Sequence, residues 1–110
     1  AHCATTAAIY LALIGKEGFS ELASTNASKA HYARDRFCSI PNVRQQFDAP
    51  FFNEFVIELP RPANKILAEL RRANIHGGID LGRWYANMKN SLLVCCMERN
   101  AKEEIDQFAQ

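Results

Sequence analysis

Hydrophobic positions change their spacing three times along this chain, and each change marks a new element. Residues 2 to 14, HCATTAAIYLALI, place apolar side chains nearly all round a helical wheel, and Gly15 stands where a helix takes its C′ residue. A helix with no polar face wants cover on several sides. From about Phe19 to Ile40 the spacing is cleaner. Phe19, Leu22, Ala23, Asn26, Ala27, Ala30, Ala33, Phe37 and Ile40 form one stripe, with Lys29, Arg34, Asp35 and Arg36 beside it. Pro41-Asn42 ends that second helix.

The period then falls to two. In FFNEFVIEL, residues 51 to 59, Phe51, Phe55, Ile57 and Leu59 share one face and Glu54, Val56 and Glu58 the other. The shorter VRQQF at 43 to 47 can pair with it antiparallel across Asp48-Ala49-Pro50. Pro62 suits the first turn of a helix running to about Ala73, with Ala63, Ile66, Leu67 and Leu70 inward. SLLVCCM at 91 to 97 is a nearly continuous apolar run, which predicts a central strand covered on both faces. A last helix follows, capped by Asn100 with Glu103 three residues on, and with Ile105 and Phe108 inward. This order predicts an α+β fold: a mixed, largely antiparallel sheet of three or four strands with helices packed on it.

The length of 110 residues allows one domain and one core. Such a core can hardly surround the first helix, so residues 1–15 are expected to dock on sequence outside this chain. The start at Ala1, inside a helix and without an initiator Met, likewise reads as a piece of a longer polypeptide. Thirteen basic and twelve acidic residues leave a net charge of +1, which provides no long-range field toward nucleic acid or an anionic membrane. The apolar run from Ala7 to Ile14 is far below the roughly 20 residues of a membrane span. Cys3, Cys38, Cys95 and Cys96 read as reduced thiols of a cytoplasmic protein.

HGGIDLGRWY, residues 76 to 85, is the most unusual stretch. A phosphate cradle needs strand, glycines, then helix, and here the order is helix, glycines, strand. Two readings remain: a turn whose Trp84 and Tyr85 plug an edge, or a loop presenting Arg83, Trp84 and Tyr85 to another domain or subunit. His31 lies off the apolar stripe and reads as surface or interface. Asn53 falls on the apolar face of its strand, where burial would require hydrogen bonding, as a latch or a site residue. The histidines and cysteines show no C-x-x-C or H-x-x-x-H pair for a metal. No nucleophile carries a local activating signature, and none of the five lysines lies in a loop suited to a Schiff base. By itself the chain is expected to catalyse nothing and to bind no cofactor or metal.

LIGKEGFSELA at 13–23, SKAHYARDRF at 28–37, DAPFFNEFVIELP at 48–60, GGIDLGRWY at 77–85, NSLLVCCME at 90–98 and KEEID at 102–106 together resemble, in order and spacing, the C-terminal part of the glycine decarboxylase P-proteins. The likeness is to subunit 1 of the two-subunit form. It implies the small C-terminal domain of a fold-type-I pyridoxal-phosphate enzyme, residues 1–110 forming that domain. It also implies a heterotetrameric parent that decarboxylates glycine and passes the aminomethyl group to the lipoyl H-protein. The cofactor lysine would then belong to subunit 2, with which subunit 1 pairs. The family's usual Thr-Glu-Met-Arg becomes Met97-Glu98-Arg99-Asn100 here, so a substrate-carboxylate role for that arginine is not carried over. Trp84 stands where a second tyrosine is commoner. Within this reading Arg83, Trp84, Tyr85, Asn53 and His31 are the expected contacts with a partner, and the isolated chain is expected to self-associate. The alternatives are the small domain of another pyridoxal-phosphate enzyme, such as a cysteine desulfurase or aminotransferase, and a free-standing regulatory or interaction module.

Overall fold

The computed structural model describes residues 1–110. In chain order the elements are α1 (His2–Cys38), β1 (Arg44–Gln45), β2 (Glu54–Glu58), α2 (Ala63–Arg72), β3 (Ile79–Asp80), a 3-10 turn (Leu81–Arg83), β4 (Ser91–Cys95) and α3 (Lys102–Phe108). The four strands lie in the order β1-β2-β4-β3, and every neighbouring pair is antiparallel. The α+β class, with an antiparallel sheet and helices packed on it, is the one the sequence predicts.

Register decides which face is the core. Phe55 stands opposite Val94 and Ile57 opposite Leu92, so these four side chains share one side of the pleat. All four are buried, Ile57 and Leu92 almost completely. Ala30, Ala33 and Phe37 of α1, Ala63 and Leu67 of α2, and Ile105 of α3 join them in one cluster. Small alanines let α1 approach the sheet closely. Phe37 then fills the space between Phe55 and Phe108, at centroid distances of 6.1 and 4.6 Å.

The other face is different. Val56 and Leu93, opposite each other, are half-buried, while Ile79 is 47% exposed and Cys95 is exposed. β4 is central, as its apolar run predicts, but this chain covers only one of its faces. The two adjacent cysteines take opposite sides, as neighbours along extended backbone do: Cys96 is buried and Cys95 is not.

Three boundaries bear comparison with the sequence reading. The first two helices are not separated by a loop: α1 is continuous apart from a kink at Gly15, where φ is +65° and ψ −179°. Glycine adopts this conformation freely, so the break falls where the sequence puts it, but the helix resumes at once. Secondly, α2 ends before the glycines, as expected: its last residue is Arg72, against an expected end near Ala73. Asn74 takes the left-handed conformation (φ +60°), and the N–H groups of Asn74 and Ile75 return to the carbonyls of Arg71 and Leu70, closing a Schellman motif. Thirdly, the N-cap of α3 is Ala101, not Asn100. The Glu104 carboxylate accepts the Ala101 N–H at 2.8 Å, and Asn100 instead accepts the Met97 N–H at 2.8 Å.

Only the second half of α1 reaches the core. Ile9, Tyr10, Leu11, Leu13 and Phe19 are each 47–82% exposed. The radius of gyration, 16.0 Å, exceeds the about 13 Å expected of a compact chain this long, because the first half of α1 projects.

Candidate functional site

The stretch HGGIDLGRWY is built into the sheet rather than looped away from it. Ile79 and Asp80 form β3 and pair with Leu93 and Leu92, a strand too short for hydrophobic periodicity to predict. Its three glycines each mark a close approach. A Cβ on Gly77 would strike the Phe108 ring and meet Leu70 Cδ1 at 2.8 Å; on Gly78, where φ is +123°, it would strike the Leu93 carbonyl oxygen; on Gly82 it would meet Lys89 Cα at 2.8 Å. These glycines serve close backbone packing.

Asp80 then starts the 3-10 turn, its carboxylate accepting the Gly82 N–H at 2.8 Å. An Asp two residues before a Gly is the usual sequence for this turn, so the signal was readable. The Leu81 carbonyl accepts the N–H groups of Trp84 and Tyr85 at 3.1 and 3.0 Å. Further along, Lys89 and Asn90 carbonyls accept from Ala63 and Leu59 at 2.9 and 2.8 Å, tying the loop to α2 and the end of β2.

On this fixed backbone Trp84 and Tyr85 remain 63% and 55% exposed. The Arg83 guanidinium lies over the Trp84 ring, 5.4 Å from its centroid. The edge-plug alternative is therefore not what the chain does with its aromatics, since they fill nothing within it. A rigid turn carrying exposed aromatic and Arg side chains has the composition of an interface anchor.

The other two expected contact residues lie apart from this turn. His31 is exposed and stacks on Phe51, with centroids 4.4 Å apart and an interplanar angle of 27°. Phe51 in turn packs on Phe55 at 5.2 Å and receives Arg34 at 5.8 Å. Asn53 is half-buried, and its part in the fold is played by its backbone carbonyl, which accepts the Cys96 N–H at 2.9 Å. It does not meet the burial condition for a side-chain latch.

Two polar clusters join α1 to α3 and to the turn before it. Asp106 accepts from the Tyr32 hydroxyl at 2.8 Å and from Arg36 Nε at 2.6 Å. The Tyr32 hydrogen bond, followed by Arg36, holds the Asp106 carboxyl below the usual aspartate range; partial burial and that carboxylate push Tyr32 up. Lys29 donates to the carbonyls of Glu98 and Asn100 at 2.5 and 2.6 Å, and Asn26 accepts the Glu98 N–H at 2.5 Å. Sequence reading placed Lys29 on the helix flank without this role, which joins residues 69 and 71 positions apart and leaves no local mark.

A cleft of about 400 Å³ opens between α3, the Asn74–Ile79 segment and the end of β4. Glu54, His76, Asn100, Glu104 and Gln107 contribute its polar lining, and no lysine borders it. Burial pushes the Cys96 thiol up, and partial desolvation followed by the Glu54 charge does the same for Cys95, so neither is an activated nucleophile. No three His, Cys, Asp or Glu side chains come together as a metal site. No helix is long and apolar enough to cross a membrane.

No family profile matches the chain. Individual relatives do. The chain is 40% identical over 108 residues to the probable glycine dehydrogenase (decarboxylating) subunit 1 of Chlorobaculum parvum, an alignment that takes in 98% of this chain and 24% of that protein. The protein of the same description from Moorella thermoacetica is 42% identical over 106 residues, 96% of this chain and 24% of its own length. A crystal structure of the glycine decarboxylase (P-protein) of the glycine cleavage system, in inhibitor-bound form, superposes with a TM-score of 0.83 at 29% identity, covering 93% of this chain and 23% of that one. The resemblance read from the sequence is thus borne out in sequence and in fold. The chain spans about a quarter of the length of the curated relatives it matches.

Proposed function

We propose that this chain is the small C-terminal domain of a glycine dehydrogenase (decarboxylating) subunit 1, supporting glycine decarboxylation and aminomethyl transfer to the lipoyl H-protein without performing either step alone. The observation that carries this reading is identity of about 40% across nearly the whole chain to proteins of that description.

The residues of this chain do not fit a pyridoxal-phosphate anchor. A Schiff-base lysine is activated by desolvation or by a neighbouring cation in a pocket. Lys16, Lys65, Lys89 and Lys102 are exposed, Lys29 is committed to two carbonyls, and the cleft beside α3 has no lysine on its walls. We therefore assign the cofactor lysine to subunit 2 and route no chemistry through these residues.

What the domain contributes is surface. Residues 1–15 would be covered by the large domain of the same polypeptide or by a partner. Their exposed Ile9, Tyr10, Leu11 and Leu13 support this, since burying one such side chain contributes about 1.5–3 kcal/mol. Arg83, Trp84 and Tyr85 would face subunit 2, supported by a turn whose backbone is fixed while its large side chains stay free. His31 and Asn53 are assigned to a second, smaller contact. A cytoplasmic location goes with this reading.

The test is reconstitution. The full polypeptide carrying this sequence, combined with subunit 2 and lipoylated H-protein, should release CO2 from glycine, and the 110-residue chain alone should release none. Turnover by the isolated chain, or an assembled pair inactive toward glycine, would refute the proposal.

A further inference from the structure

Ser91 is the only polar residue of the chain that is buried, at 2% exposure. Its place in the sheet makes that burial informative. Leu92 and Val94 face the core, so alternation turns Ser91 to the open face, where Leu93 is half-buried and Cys95 exposed. There Ser91 stands opposite Glu58 and, with Gln46, Glu58, Asn87, Lys89 and Asn90, lines a cavity of about 320 Å³. The backbone around this cavity is pinned: the Ser91 N–H donates to the Met88 carbonyl at 3.0 Å, and the Lys89 and Asn90 carbonyls accept from Ala63 and Leu59. Its side chains are not. The Ser91 hydroxyl has no partner within the chain, and Gln46 Oε1 is buried without accepting any hydrogen bond. Glu58 Oε2 accepts from Arg44 Nε at 3.0 Å and Nη2 at 2.6 Å, which leaves Oε1 free. Lys89 is exposed and belongs to none of the four ion pairs of the fold.

We propose that this cavity binds a small amino-acid zwitterion, its carboxylate on Lys89 Nζ and the Ser91 hydroxyl and its ammonium on Gln46 Oε1 and Glu58 Oε1. The donors and acceptors select this class by elimination. A buried acceptor without a donor is costly, and an ammonium group brings three donors to two waiting oxygens. An anion alone would engage Lys89 and leave both of those oxygens unpaired. A cation alone would do the reverse, and Lys89 with Arg44 against the single charge of Glu58 would repel it. The same balance opposes a divalent metal, which also calls for more carboxylate oxygens than Glu58 supplies. Ala86 is the only apolar residue of the wall, so an aromatic ring or a nucleobase finds no face to stack on. A long apolar side chain would find no cover there either. The ligand is therefore an amino acid with a very short side chain or none, such as glycine, alanine or serine. This site depends neither on the reading of Arg83, Trp84 and Tyr85 as a subunit contact nor on the whole protein's activity.

The test is calorimetric titration of the full polypeptide carrying this sequence, without subunit 2, with glycine, alanine and serine as probes. At least one should bind saturably with a Kd of about 0.1–10 mM, as suits a ligand of so few atoms. N-Acetylglycine, which lacks the ammonium, and glycine methyl ester, which lacks the carboxylate, should each bind about ten-fold more weakly or worse. Lys89→Gln should weaken the zwitterion about ten-fold or more and Ser91→Ala about two- to ten-fold. Lys89 is exposed and its backbone bond to Ala63 survives the change, so that variant serves if Ser91→Ala misfolds. Absence of saturation by all three amino acids would overturn the proposal, and the cavity would then hold water alone. Equal binding of the two blocked forms would overturn the zwitterion assignment. Binding left unchanged by both substitutions would place the ligand elsewhere in the polypeptide and overturn the site. Intact binding beside an assembled pair inactive toward glycine would sink the function proposed above and leave this site standing.

Discussion

Replacing Gly78 by alanine separates two jobs a glycine can do, because Gly15 offers a matched control. At Gly78 φ is +123°, and an added Cβ falls on the backbone carbonyl oxygen of Leu93 in the central strand. Holding a non-glycine residue in that region costs of order 1–3 kcal/mol. The contact adds an overpacking cost of about 1–3 kcal/mol, and a carbonyl engaged in a sheet cannot rotate aside as a flexible side chain would. Together these take roughly 2–6 kcal/mol from a total stability of about 5–15 kcal/mol. For a domain near this size each kcal/mol moves Tm by roughly 4–8 °C, so a fall of more than about 10 °C is expected. At Gly15 φ is +65° and no atom lies within 4 Å of the added Cβ. There only the backbone conformation opposes alanine, at a cost of order 1–3 kcal/mol that disappears if the residue turns helical. It is offset by alanine's helix propensity, about 1 kcal/mol better than glycine's, if α1 straightens. Gly15→Ala should therefore stay within about 1 kcal/mol of the parent. Urea and thermal unfolding, followed by far-ultraviolet circular dichroism on both variants, measure the difference. Equal stabilities for the two variants would refute the claim that Gly78 is required by the β3–β4 approach.

Leu92→Ala removes a side chain with 0% exposure from the centre of the cluster and should cost about 2–5 kcal/mol in the same unfolding assay. Asp106 is held below the ordinary aspartate range by Tyr32 and then Arg36, so its contribution is present above the unfolded pKa and is lost as pH falls through the folded one. Asp106→Asn should accordingly lower the unfolding midpoint at neutral pH, and the gap from the parent should close on acidification below the usual aspartate range. A gap that persists or widens there would refute it. In thiol alkylation monitored by mass spectrometry, exposed Cys3 should react first and buried Cys96 last, with Cys95 between them because desolvation and Glu54 disfavour its thiolate. Labelling Cys96 as fast as Cys95 would contradict the register of β4.

Period-based reading located the elements well because one face of each is buried by its own neighbours. Ala30, Ala33 and Phe37 recur at helical spacing and Phe55, Ile57 and Leu59 at strand spacing, and all six are buried. The reading lost β3 because a two-residue strand has no period to detect, and Ile79-Asp80 is held by its pairing with Leu93 and Leu92 rather than by its own pattern. It places the end of α2 near Ala73, just where Asn74 takes the left-handed conformation that asparagine tolerates at little cost. The candidate site was legible in part. Arg83, Trp84 and Tyr85 stood out by composition, and the structure leaves their side chains exposed on a pinned turn. The clamp of Asn26 and Lys29 on the Glu98–Asn100 turn spans most of the sequence, and no single-sequence signal reports it.

The apolar run of β4 poses the more general point. Its two-faced hydrophobicity predicts cover on both sides, and the same logic predicts cover for the all-round apolar helix at residues 2–14. In each place the fold leaves the same deficit: Leu93 and Ile79 on the open sheet face, and Ile9, Tyr10, Leu11 and Leu13 on the projecting helix, are accessible to water. Propensity alone would not hold such a helix straight, since isolated helices shorter than about 12–15 residues are marginal in water. Two unrelated segments thus encode burial that 110 residues do not supply. On the proposed reading that burial is supplied by the large domain and by subunit 2, so the sequence pattern describes the assembled enzyme rather than the domain. Hydrogen exchange on the full polypeptide, with and without subunit 2, can assign each surface. Residues 2–14 protected in both states would place them against their own chain, whereas protection gained only on pairing would place them in the subunit interface. Rapid exchange there in both states would remove the argument that the apolar pattern reports a contact at all.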